Sequence, residues 1–216
     1  MPIIHSFNKE SSTVVGIWLI EESLEEMLAI CHPEDAKFVL SNTNNHNKRL
    51  ERLAARILAK QLTESIGLQY KGIHKNVYKQ PELIDNDSSI SISHSYPYAA
   101  AIISNSSKSC GVDIELCRPK LQRVSHKFQN EEEARFSGKN IDKLCIAWTA
   151  KEAVYKLLAQ HKLSFKNEME IQQYELNPNG QLSMLIRSKA FNDIIKIHYI
   201  LEGDFAMSYC AYPTNI

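Results

Sequence analysis

The segment HNKRLERLAARILAKQLTESIG, His46–Gly67, sets Leu50, Leu53, Ile57 and Leu58 in one stripe at helical spacing, with Gly67 as the expected stop. What comes after it reads as strands: SISISHS (Ser89–Ser95) and YAAAIIS (Tyr98–Ser104) around a Tyr-Pro turn, then CGVDIEL (Cys110–Leu116). A long amphipathic helix beside strands joined by short turns calls for a helix packed on a mostly antiparallel sheet. Arg49, Arg52, Arg56 and Lys60 recur at three- and four-residue steps and make one flank of the helix basic. Spacing alone reads that flank as a solvated face.

The same combination returns later. NEEEARFS and CIAWTAKEAVYKLLAQ read as helices. EMEIQQYEL, QLSMLIR, IIKIHYIL and FAMSYCAY then read as strands, with a hairpin expected at Asn179-Gly180 and a turn at EGD. Near the start, TVVGIWLI is strand-like and EESLEEMLAI helical; NVYKQPELI is extended and interrupted by Pro81. The expected fold class is α+β in two helix-plus-antiparallel-sheet halves, residues 1–106 and 107–216, with the break near Asn105–Cys110. No internal sequence repeat or low-complexity segment stands out.

Composition narrows the function. The 216 residues are 44% apolar and 23% charged, which fits a soluble globular chain of one large or two small domains. A formal net charge of zero argues against a nucleic-acid footprint, while leaving room for a local basic pocket. No apolar run is long enough for a membrane span, and MPIIHSFNKE lacks the features of a signal peptide. Five cysteines without a CxxC pair read as reduced thiols, so a cytoplasmic location is expected.

Two stretches carry chemistry. In GVDIEL, Val112, Ile114 and Leu116 face one way and Asp113 and Glu115 the other, roughly 7 Å apart along the strand. Two carboxylates so close repel, and oxygen ligands at this spacing suit Mg²⁺; an ordinary amphipathic edge strand is the plainer reading. In WTAKEAVYK, Glu152 and Lys156 are i and i+4, with Trp148 four residues before Glu152. The plainer reading there is a surface ion pair. Lys151 points about 100° away from Glu152.

Together, GVDIE and, about thirty residues on, WTAKEAVYK resemble the signature pair of the 4′-phosphopantetheinyl transferases of the surfactin-synthetase-activating type. SISHS resembles that family's Ser-His element, NKRLERLAARILAK its N-terminal helix, and HKFQNEEEARF the stretch between its signatures. The chain departs from the family's Gly-Lys-Pro at YKQP, where Lys79 stands in place of Gly and Gln80 in place of Lys.

The resemblance implies two similar α+β halves packed with pseudo-twofold symmetry, and an active site between them. It implies a holo-carrier-protein synthase that moves the 4′-phosphopantetheine arm of coenzyme A to a serine of an acyl or peptidyl carrier protein and releases adenosine 3′,5′-bisphosphate. Asp113, Glu115 and Glu152 would hold Mg²⁺ against the pyrophosphate. Glu152 and Lys156 would be catalytic, Lys156 on a phosphate oxygen and Glu152 with a share in deprotonating the serine. Arg49, Arg56, Lys79, Ser93, His94, Asp113 and Lys156 would bind coenzyme A, with the 3′-phosphate assigned to Arg49, Arg56 and Lys79. Lys79 substitutes for the missing Lys, or Arg49 and Arg56 carry more of that contact. A monomer is expected, without nucleic acid or membrane. The alternatives are a non-catalytic carrier-protein-binding module of the same fold and a metal-dependent nuclease, which the neutral charge disfavours.

Overall fold

The structure, a computed structural model, describes residues 3–7, 13–104 and 108–213. Its order is β1 (Ile3–Phe7), β2 (Thr13–Leu19), α1 (Leu24–Ile30), α2 (Pro33–Asn42), α3 (His46–Ser65), β3 (Ile73–Lys75), β4 (Pro81–Leu83), β5 (Ser89–Ser95), β6 (Tyr98–Ser104) and β7 (Lys108–Leu116). It continues with α4 (Lys120–Val124), α5 (Glu131–Ser137), α6 (Ile141–Leu157), β8 (Met169–Ile171), β9 (Asn179–Arg187), β10 (Asn192–Glu202) and β11 (Phe205–Pro213). Helices and antiparallel sheets make the fold α+β, as expected. The chain forms two compact units that divide between Cys110 and Gly111. The boundary expected between residues 106 and 107 lies outside the described residues.

In the first unit the sheet runs β1-β2-β6-β5. α3 begins where Asn45 accepts the Lys48 N–H at 3.0 Å, and the chain leaves it through Gly67 at φ +79°. Its apolar stripe is buried as expected: Leu50, Leu53, Ile57 and Leu58 share a core with Trp18, Ala99, Ala101 and Ile103. Each such leucine contributes about 1.5–3 kcal/mol by leaving water. The pairing Ser95↔Tyr98 to Ser89↔Ser104 closes the expected β5–β6 hairpin around Tyr96-Pro97.

The second unit packs α6 on a sheet ordered β7-β11-β10-β9-β8. Ala147, Ala150 and Val154 meet Met184, Ile186, Ile195 and Ile197 in its core. Two expectations about this sheet are corrected. The strand expected through Leu176 stops at Ile171, because the Tyr199 hydroxyl draws residues 175–177 off the ladder: it donates to the Glu175 carbonyl at 3.0 Å and accepts the Asn177 N–H at 3.2 Å. Nor do Asn179 and Gly180 form a hairpin turn. They are the first residues of β9, paired with Ile200 and Tyr199. Glycine is required at 180 by close approach, since a Cβ there would stand 2.5 Å from the Tyr199 ring. The β10–β11 turn falls at Gly203-Asp204, as expected, with Glu202 paired to Phe205.

Candidate active site

Gly111 sets the distance between β7 and α6. A Cβ at this position would run into the Ala153 carbonyl and stand 3.1 Å from the Leu157 nitrogen. Without a side chain the strand lies directly on the helix backbone, and residues 113 and 115 meet residues 152 and 156. Asp113 is 6% exposed, and Val112 and Ile114 opposite it are buried in full. Lys156 reaches across from the helix: its Nζ is 2.8 Å from Asp113 Oδ1 and 2.9 Å from the Val112 carbonyl. The i, i+4 geometry read from sequence is present, but the partner at hydrogen-bond distance is Asp113 on the strand.

Glu152 faces the same place. Its carboxyl is pushed up from the ordinary 4.5 to about 7, first by burial and then by the charge of Asp113; Glu115 adds to the effect and Lys156 opposes it. Asp113, Glu115 and the Lys156 ammonium are thus all within electrostatic reach of Glu152. The folded protein holds this proton more tightly than the unfolded chain does. Glu152 therefore favours folding most below pH 4.5, and that contribution is lost as pH rises from about 4.5 through about 7. In metal-free protein, Glu152→Gln should melt at a higher temperature than wild type above pH 7 and show no such gain below pH 4.5. Melting curves that stay parallel across this window would show that the carboxyl is not so strained.

Next to Glu152, Lys151 is fully buried and turned the other way. Its Nζ donates to Glu133 Oε2 at 2.7 Å and to the carbonyls of Phe128, Phe165 and Met169 at 2.6, 2.8 and 2.8 Å. Glu133 in turn accepts the N–H groups of Asn130 and Ile171, each at 2.8 Å. The pair ties α6 to α5, to β8 and to the loop after α6. Trp148, half-buried, packs edge-on against Phe128 at 5.2 Å and tilted against Phe165 at 5.7 Å. Composition and spacing did not single out this anchor. The available signal was Asn130-x-x-Glu133, a capping-box pattern that the structure forms.

In the first unit, His94 lies on β5 with Ile90 and Ile92 by alternation, while Ser93 is buried on the other side of the strand. The basic flank of α3 is not a solvated face. Arg49 Nε donates to the Thr43 carbonyl at 2.7 Å and its Nη2 to Asn44 at 3.1 Å, just past the end of α2. Arg56 is 4% exposed, pairs with Asp35 at 3.1 Å and covers the Phe38 ring. Asp35 also accepts the Tyr70 hydroxyl at 2.5 Å and the Ile73 N–H at 3.2 Å. Arg56 therefore holds α2 to α3. A phosphate contact by Arg56, as expected from the sequence, would compete with Asp35 for this guanidinium. α2 was not read from the sequence, so neither was the buried carboxylate that claims this arginine.

Lys79 is exposed at the tip of the β3–β4 hairpin, in a turn built on Asn76, whose side chain accepts the N–H groups of Tyr78 and Gln80 at 2.9 and 3.0 Å. Its φ is +65°, the region that favours glycine. The backbone shape that a glycine would supply is kept with lysine in it. Lys79→Gly should raise stability by up to about 1 kcal/mol in denaturant unfolding, the relief of left-handed strain being partly offset by glycine's entropy.

The 4′-phosphopantetheinyl transferase superfamily model matches residues 109–210. This part of the chain is similar to that superfamily. The matched residues begin on β7 and end on β11, and so include Asp113, Glu115, Glu152, Lys156 and the Lys151 anchor. No curated protein matches the chain.

The donor chemistry at the matched segment suits a hard divalent cation: every candidate ligand is a carboxylate oxygen, and burial together with the neighbouring Asp113 charge makes Glu152 costly to ionise without a cation. The arrangement is not a closed ligand set. Among the described residues, no three His, Cys, Asp or Glu side chains form a group that could hold a metal ion. Lys156 takes Asp113 Oδ1 instead. Also among the described residues, no helix is long and apolar enough to cross a membrane.

Proposed function

We propose that the chain is a holo-carrier-protein synthase, a 4′-phosphopantetheinyl transferase of the surfactin-synthetase-activating type. It would transfer the arm of coenzyme A to a carrier-protein serine and release adenosine 3′,5′-bisphosphate. The observation that carries this reading is the meeting of Asp113, Glu152 and Lys156 on β7 and α6 within the matched segment. Asp113, Glu115 and Glu152 would hold Mg²⁺, which when bound supplies positive charge to the pyrophosphate. Lys156, with 29% of its side chain exposed, is accessible to a phosphate oxygen and can stabilise the charge that develops on the leaving phosphate. His94, Ser93, Lys79 and Arg49 are proposed for the remaining phosphates of coenzyme A. Arg56 is proposed with them, its phosphate contact requiring the pair with Asp35 to open. A cytoplasmic monomer completes the proposal.

The alternative is a carrier-binding module without catalysis. It gives no reason to keep a carboxylate cluster in which burial, and then the charge of Asp113, raises Glu152 to about 7. Incubation with apo carrier protein, coenzyme A and Mg²⁺ separates the two by intact mass. Gain of one phosphopantetheine arm supports the transferase. Binding of the carrier without mass gain supports the module.

A further inference from the structure

The residue that sequence reasoning passed over in the first unit is Glu51. It lies within the apolar stripe of α3, is 3% exposed, and is nonetheless a carboxylate. Its Oε1 accepts the Tyr96 N–H at 2.8 Å, just beyond β5. Its Oε2 accepts Lys48 Nζ at 2.6 Å and stands 3.2 Å from His94 Nδ1. Burial alone would raise this carboxyl, but the His94, Lys48 and Tyr96 contacts outweigh it and hold Glu51 at about 2, so it is charged at any working pH. His94 Nδ1 is itself closed off from water and makes no hydrogen bond of good geometry in this rotamer, so its 3.2 Å approach to Glu51 is an ion-pair contact; 28% of the side chain is exposed. The Nε2 edge is what remains for a ligand.

We propose that Glu51 is the positioning residue of His94: it fixes the ring with Nδ1–H toward the buried carboxylate and Nε2 outward toward a phosphate group. The inference rests on reading His94 as a phosphate donor. A carboxylate behind a histidine sets which nitrogen carries the proton and how the ring is aimed. A doubly protonated ring then has one N–H on Glu51 and one directed outward. Lys48 shares the same oxygen, so the carboxylate keeps a cation when the ring turns to a ligand. Ser93 and Ser95, the chain neighbours of His94 on β5, point to the opposite side by alternation.

The test begins with wild-type full-length protein carrying ¹⁵N-labelled histidine. Near neutral pH the His94 signals should show Nδ1 protonated; a neutral ring with its proton on Nε2 alone overturns the proposal, without recourse to any variant. Glu51→Gln, which keeps an acceptor for the Tyr96 N–H, should shift those signals and weaken calorimetric binding of adenosine 3′,5′-bisphosphate about tenfold. Adding His94→Gln to Glu51→Gln should then cost little more, since one acts through the other. Additive losses, or unchanged ring signals in Glu51→Gln, would remove Glu51 from this role. The ring signals are read without substrate. If they behave as expected while no nucleotide binds and no carrier is modified, the transferase reading fails and the Glu51–His94 arrangement stands.

Discussion

Lys151→Met should destabilise the protein by about 3–5 kcal/mol, measured by denaturant unfolding. Glu133 has no exposed surface and would be left as a buried charge without its cation, and three carbonyls would lose their donor. The partner change identifies the cause. Pairing Lys151→Met with Glu133→Gln should recover part of the loss, because the buried charge goes with the lysine that balanced it. A loss below about 1 kcal/mol for Lys151→Met would mean that the pair is no anchor and that another contact holds α6 in place.

The neighbouring residue on the same helix should behave in the opposite way. Glu152→Gln and Lys156→Met should each lower the transfer rate by about 10²–10³-fold, the usual scale for removing one charged partner of a developing transition state. Glu152→Gln also relieves repulsion with Asp113 and Glu115, so its stability should be unchanged or higher. Lys156→Met removes the contact to Asp113 but leaves an apolar stem of similar length, and it should keep the fold. Melting curves and transfer rates on all three variants separate an anchoring lysine at 151 from a reacting pair at 152 and 156. A near-normal rate for Glu152→Gln or Lys156→Met would reduce this face of α6 to a plain ion pair.

How far the sequence can be read follows from the range of the interactions involved. Periodicity located α3, β5, β6 and β7 well, since an apolar stripe or an alternating face is a local property. The same locality explains the failures. Asn179-Gly180 has the composition of a hairpin turn, but the glycine answers to the ring of Tyr199 on a neighbouring strand. Arg56 has the spacing of a solvated flank, but α2 brings Asp35 and Phe38 over it. Glu51 is a carboxylate in an apolar stripe, an inconsistency visible in the sequence whose meaning depends on His94, far along the chain. GVDIE and WTAKEAVYK were legible as a pair through resemblance. The reason for their glycine, contact with the Ala153 carbonyl, needed the packed helix.

Under the proposed function, the β7–α6 carboxylates and Lys156 serve group transfer from coenzyme A. The most direct test of that assignment counts both products in one reaction of wild-type protein with apo carrier protein, coenzyme A and Mg²⁺. The expected result is one adenosine 3′,5′-bisphosphate released for each carrier that gains the phosphopantetheine arm, with both lost in Glu152→Gln. Carrier protein that remains unmodified, whether or not bisphosphate is released, would contradict it.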